Sequence, residues 1–222
     1  VIIVDELNQI SQTLALSMGA AWGSGINLYA TLLTLGYLAH TGHIDLPPDL
    51  LIVADPLVMT AAGLMYAVEF FADKVPGVDT GWDTIHTFVR IPAGALLAAG
   101  AIGDIGPAAE IAAAIVGGSL AGATHATKTG SRALINTSPE PFTNWTASIM
   151  EDIAVFAGVW ASIQHPTFFM VGLVLFILLM IWALPKLWRA IKRVFTFLGK
   201  LFGPSNNDIL ETPSDGKLPK PD

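Results

Sequence analysis

The chain reads as an all-α, polytopic transmembrane bundle, and three observations predict it. Its 222 residues are 53% hydrophobic and 13% charged, with a mean hydropathy of +0.59, whereas a soluble domain carries about 25% charged residues. Residues 168–184 (FFMVGLVLFILLMIWAL) form an uncharged run long enough to cross a bilayer. Residues 69–94 (EFFADKVPGVDTGWDTIHTFVRIPAG) place four acids, a histidine and two bases between apolar segments. Hydrocarbon on both sides of so much charge predicts a helical hairpin with a wet tip and charged legs.

Taken in order, the sequence predicts about six spans. Residues 14–40 are apolar and longer than one crossing needs at about 1.5 Å per residue. Gly19, Gly23, Gly25 and Asn27 lie inside them, so the helix is either kinked near Gly23–Gly25 or continuous and tilted. Gly19 and Gly23 also form GxxxG, a close-packing face, and packing and a binding-site break both account for the glycines. Residues 40–50 (HTGHIDLPPDL) are a polar turn whose spacing matches no metal motif. Residues 50–71 are the second span. The first tip follows, where Glu69 and Asp73 share a helix face. Asp79, Asp83, His86 and Arg90 then step by four, three and four along one stripe of the third span. A small-residue fourth span (108–127) leads to a second polar tip (128–144) with Lys128, Arg132 and the run Ser138-Pro139-Glu140-Pro141. The fifth span (145–162) carries Glu151 and Asp152.

Beyond the sixth span (164–184), residues 185–202 alternate bases with apolar residues and predict an amphipathic helix at the interface. Its lipid-facing candidates are Lys186, Trp188, Arg189, Lys192, Arg193 and Lys200. Residues 203–222 read as a disordered tail. The N-terminal VIIVDELNQ has no positive region or small-residue cleavage site and does not read as a signal peptide. Basic residues set the orientation: with 186–200 in the cytoplasm, both tips fall there too, in a multi-pass membrane protein. No cysteine is present, which excludes disulfides and thiolate chemistry. The few bases lie on no soluble patch, so nucleic acid is not an expected partner.

The hairpins at 50–104 and 107–163 look like parallel repeats within a membrane domain of residues 1–163. AVEFFADK (67–74) lies over AGATHATK (121–128), and WDTIHTFVRIPAGALLA over WTASIMEDIAVFAGVWA. Their charges are of opposite sign, which predicts Glu69 and Asp73 against Lys128 and Arg132, and Arg90 against Glu151 or Asp152. An unpaired charge in a bilayer costs at least about 2.5–3.5 kcal/mol, so pairing is expected.

Three stretches carry a family likeness: GINLYATLLTLG (25–36), VEFFADKVPGVDTGWDTIHTFVRIPAGALLA, and HATKTGSRALINTSPEPFTNW followed by SIMED (148–152). Together they resemble the bacterial integral membrane proteins grouped as domain of unknown function 4126. The resemblance spans about 19–160 and implies a polytopic membrane protein with no established activity.

The leading functional expectation is passage of a small ion, proton or polar solute along a charged seam. Its residues are Glu69, Asp73, Lys74, Asp83, His86, Arg90, Lys128, Arg132, Glu151 and Asp152, with Asn27 as a polar contact. Neutralising ion pairs that fix helix register explain the same residues. A second expectation is a structural subunit of a larger membrane complex or a self-associating protein. A third is binding of anionic lipid headgroups by Lys128, Arg132 and residues 186–200. Enzyme chemistry is not expected: no phosphate loop, nucleophile elbow or zinc signature occurs, and neither a metal nor another cofactor is called for. The bilayer is the partner the sequence predicts first.

Overall fold

The computed structural model describes residues 2–75, 77–103, 105–137 and 141–202, side chains being described from residue 3 to residue 194, save at Pro141, and at Thr196. The expected tail at 203–222, the Lys200 side chain and residues 138–140 of the second tip lie outside the described residues. Every described element is helical. They are α1 (Ile2–His40), a 3-10 helix (Pro48–Ala54), α2 (Pro56–Ala72), α3 (Val78–Ile102), α4 (Pro107–Ile135), α5 (Pro141–Gln164) and α6 (Pro166–Phe202).

Four helices are long and apolar enough to cross a membrane: α3, α4, α5 and the 166–194 part of α6. A fifth crossing is added if the 3-10 helix and α2, bent by 63°, count as one broken span. Asp55 makes that bend: its carboxylate accepts from Leu57 N at 2.8 Å and caps α2, with Pro56 in the first helical position.

The centre of the fold is α1, which differs from the single crossing expected for 14–40. Asn27 has φ −147° and ψ 101°, extended values inside a helix, and the chain turns back there rather than at Gly23–Gly25. The first limb runs along α3: Ser17 Oγ donates to Ala98 O at 2.9 Å and Ser24 Oγ to Arg90 O at 3.0 Å. The second limb returns beside α5, where Leu33, Thr34, Tyr37 and Leu38 share a groove with Phe156, Ala157 and Trp160. Thr31 packs on Gly23, two turns away in a straight helix, so a Cβ at Gly23 would strike its hydroxyl. Gln9, Gln12 and Thr13 from one limb line a cavity with His43, Asp45 and Leu46 beyond the other. Both ends of α1 therefore lie at one end of the bundle. An irregular break is tolerated at this depth because protein surrounds it.

Small residues let the other helices close around α1. A Cβ at Gly117 would meet Ala98 Cβ, and one at Gly94 would meet Ala121 Cβ, which brings α3 and α4 together. The legs of each predicted hairpin, α2 with α3 and α4 with α5, touch little. Their tips meet at the end opposite the ends of α1: Trp145 Nε1 donates to Lys74 O at 3.0 Å, and Asn144 Nδ2 to Asp73 O at 3.2 Å.

The expected separate interfacial helix at 185–202 is corrected as well. Helix α6 continues through Pro185. The half-buried Leu187 and Ile191 lie over Gly130 of α4, while Lys186, Trp188, Arg189, Lys192 and Arg193 stay exposed. Leu187 and Ile191 are spent on α4, which gives this segment reason to extend the helix.

Candidate functional site

The stripe that steps along α3 is buried in full: Asp79, Asp83, His86 and Arg90 are each 5% exposed or less. Arg90 lies twelve residues from either end of α3, about 18 Å at the rise of an α-helix. It therefore lies at the middle of α3. Its Nη2 bonds Glu69 Oε1 at 2.6 Å, and its Nη1 lies 3.2 Å from Asp83 Oδ1. The expected pairing of Arg90 with Glu151 or Asp152 is not formed: its carboxylate partners come from its own hairpin. Asp83 and Arg90 are seven residues apart on one helix face, and Glu69 arrives opposite them on α2.

His125 of α4 completes the Arg90 site. Arg90 Nη1 stands 3.1 Å from His125 Nδ1, and arginine has donors alone, so Nδ1 accepts. The ring proton then sits on Nε2, which donates to Asp83 O at 3.0 Å. His125 is thus neutral with a fixed tautomer. His86 lies one turn nearer the tips. It donates from Nδ1 to Trp82 O at 2.9 Å and accepts at Nε2 from Tyr29 of the returning limb at 3.1 Å, while its ring stacks on Trp82 at 4.3 Å.

Lys128 sits three residues after His125 on the same face of α4, seven residues before the helix ends. Its Nζ donates to Asp73 Oδ2 at 2.8 Å and to Ile26 O at 3.1 Å. Glu69 Oε1 and Glu151 Oε2 are 3.6 Å away and Asp83 Oδ1 is 3.7 Å away. The Ile26 carbonyl is free because the break at Asn27 interrupts the helical ladder. It also belongs to the negative end of the first limb, where a cation is favoured.

Asn27 holds the break. Its Oδ1 accepts from Ala30 N at 3.0 Å, an N-cap on the returning limb, and its Nδ2 donates to Asp152 Oδ1 at 3.0 Å. Arg132, fully buried, forks onto Glu151 (Nη2–Oε2 2.7 Å, Nε–Oε1 3.2 Å). It also donates to Asp73 O at 3.2 Å, Asn144 O at 3.0 Å and Asn144 Oδ1. At the tips, Asp79 accepts from Asn136 Nδ2 at 2.9 and 2.8 Å. Lys74 lies apart from the cluster, its ammonium 2.9 Å from the centroid of the Phe70 ring. Burial pushes that ammonium pKa down against the pull of Asp152 and Asp73.

Of the eleven pathway candidates named from the sequence, nine thus gather with Asn27 into one cluster, and Lys74 stands at the rim. Sequence reasoning missed Tyr29, His125, Asn136 and Asn144. For His125 the signal was its place three residues before Lys128.

Charge does not balance in this cluster. Glu69, Asp73, Asp83, Glu151 and Asp152 face Arg90, Lys128 and Arg132, two acids in excess. Several buried oxygens also accept no hydrogen bond: Glu69 Oε2, Asp73 Oδ1, both oxygens of Asp83, and Asp152 Oδ2. Asp83 Oδ1 faces Arg90 and Lys128, but buried polar groups are ordinarily satisfied, so the other four oxygens mark places for a proton or a cation. No group of three His, Asp or Glu among the described residues is arranged to hold a metal ion.

A family model described as domain of unknown function 4126 matches residues 14–186. No curated protein and no solved structure matches the chain.

Proposed function

We propose, for a chain that belongs to the domain of unknown function 4126 family, that it conducts a proton or small cation across a bacterial inner membrane. The observation that carries this reading is the excess of buried carboxylates with unpartnered oxygens at the break in α1. A set of charges that served register alone would be matched, because an uncompensated buried charge costs several kcal/mol. Broken helices whose ends face ionisable groups near mid-membrane are the arrangement by which many transporters hold their ions.

In this reading the protein crosses the bilayer five times, through the bent 3-10 helix and α2 and through α3 to α6. Helix α1 enters from the opposite face and returns. The hairpins 50–104 and 107–163 are diverged copies whose tips meet in the cytoplasm beside the basic half of α6, which puts the C-terminal side of α6 inside. The ion passes between the end of the first limb and the carboxylates of α2, α3 and α5.

The test is flux into liposomes holding the purified protein, with an internal pH dye and an imposed potassium diffusion potential. The wild type is expected to carry potential-driven flux above protein-free liposomes, and D83N and D152N to lower it at least about tenfold. Flux no higher than that of protein-free liposomes, from protein that keeps its helical spectrum, would sink the proposal. It would leave the cluster with a structural part.

A further inference from the structure

The Lys128 ammonium occupies a cage of oxygens from four parts of the chain. Asp73 Oδ2 stands at 2.8 Å, Ile26 O at 3.1 Å, Glu69 Oε1 and Glu151 Oε2 at 3.6 Å, and Asp83 Oδ1 at 3.7 Å. Lys128 and the cage residues other than Glu151 are each 7% exposed or less. We infer that this cage is the binding site of a small monovalent cation of ammonium size, and that Lys128 is its tethered competitor. The inference rests on the transport reading above and names the substrate class of that site.

Several independent features point to a ligand beyond the acids themselves. The backbone is opened at Asn27, which frees the Ile26 carbonyl to point at the ammonium. Asp83 is wholly buried and neither of its oxygens accepts a hydrogen bond; Oδ1 lies 3.2 Å from Arg90 Nη1 and 3.7 Å from Lys128 Nζ, and Oδ2 has no partner of either kind. The cage oxygens lie at 2.8–3.7 Å, far wider than the roughly 2.0–2.6 Å at which magnesium and calcium are held. That spacing suits an ammonium group instead. Lysine is a compact charge on a four-carbon stem, able to withdraw when a free cation arrives and to return when it leaves. Arg132, locked in its fork on Glu151 and bonded to Asn144, has no such freedom. The excess acids let the cage accept the second positive charge while the exchange takes place.

The experiment removes the competitor. Full-length K128M is purified in detergent, and its thermal midpoint is followed against ammonium chloride, with choline chloride at equal ionic strength as control. A tethered group competes at an effective concentration of about millimolar or higher. Its removal should therefore tighten apparent ammonium binding at least about tenfold relative to wild type, with a saturable rise in midpoint. The double variant K128M/D83N should lose most of that response. Where K128M cannot be recovered folded in choline, recovery in ammonium supports the cage, and failure in both salts overturns it. A folded K128M that answers ammonium no better than choline also overturns it. Ammonium binding by K128M without flux in the wild type leaves the cage standing and removes transport. Flux in the wild type without ammonium binding by K128M does the reverse.

Discussion

Replacing Asn27 with alanine tests the break in α1 through two bonds at once. The substitution removes the cap on Ala30 N, worth about 1 kcal/mol. It also removes the donor to Asp152 Oδ1, and a bond to a charged group contributes about 1.5–3 kcal/mol. Asp152 is 7% exposed and its other oxygen already lacks a partner, so solvent can do little to replace the loss. The total expected is about 2.5–4 kcal/mol. The assay is equilibrium unfolding in mixed micelles, titrated with sodium dodecyl sulfate and followed by circular dichroism. N27A, D152A and N27A/D152A complete a double-mutant cycle, in which the pair should couple by about 1–2 kcal/mol because each single change strands the other group. N27S keeps an acceptor for the cap and loses the donor to Asp152, and it should fall between wild type and N27A. Additive single changes, or an N27A cost below about 0.5 kcal/mol, would refute the reasoning.

Other perturbations follow from the same packing. R90M leaves Glu69 and Asp83 buried without their guanidinium and should lower stability by about 3–5 kcal/mol, read in the same titration; an unchanged midpoint would contradict the assigned pairs. G25A puts a Cβ 2.5 Å from the Ala121 carbonyl, which backbone cannot yield, and should cost about 1–3 kcal/mol. G172A, where nothing lies within 4 Å, should be neutral or gain up to about 1 kcal/mol in helix propensity. Equal effects at the two glycines would contradict the packing of α1 on α4. G130L forces Leu187 away, so cleavage by trypsin at Arg189 and Lys192 should accelerate relative to wild type; an unchanged cleavage rate would mean that α4 does not hold this segment.

Much of this architecture was legible in hydropathy and spacing, and the failures have physical causes. The α3 stripe of Asp79, Asp83, His86 and Arg90 was readable because a helix repeats every 3.6 residues. Lys128 beside Asp73 followed from the opposite charges of the two hairpins and the cost of unpaired charge in lipid. The return of α1 was not readable. A run of 27 residues holding glycines and Asn27 has the same hydropathy whether it crosses once at a tilt or enters and comes back. What decides is Asn27, whose side chain both caps the second limb and reaches Asp152, and that depends on α5 standing opposite. Arg90 was assigned to the wrong acids because its partners were taken from the repeat alignment. Its long side chain instead reaches Asp83 on its own helix and Glu69 across the turn. The continuity of α6 past Pro185 was hidden in a glycine on another helix: Gly130 makes the seat for Leu187, and no local pattern announces it.

The central claim is that α1 turns back at Asn27, and a chain without native cysteine permits a direct test. Single replacements Q9C, H43C, V75C and T137C would be labelled with a membrane-impermeant thiol reagent in vesicles of known orientation. The account predicts that Q9C and H43C react from one face, and V75C and T137C from the opposite face. Labelling of Q9C and H43C from opposite faces would mean that α1 crosses the bilayer once, and the site built around its break would fall with it.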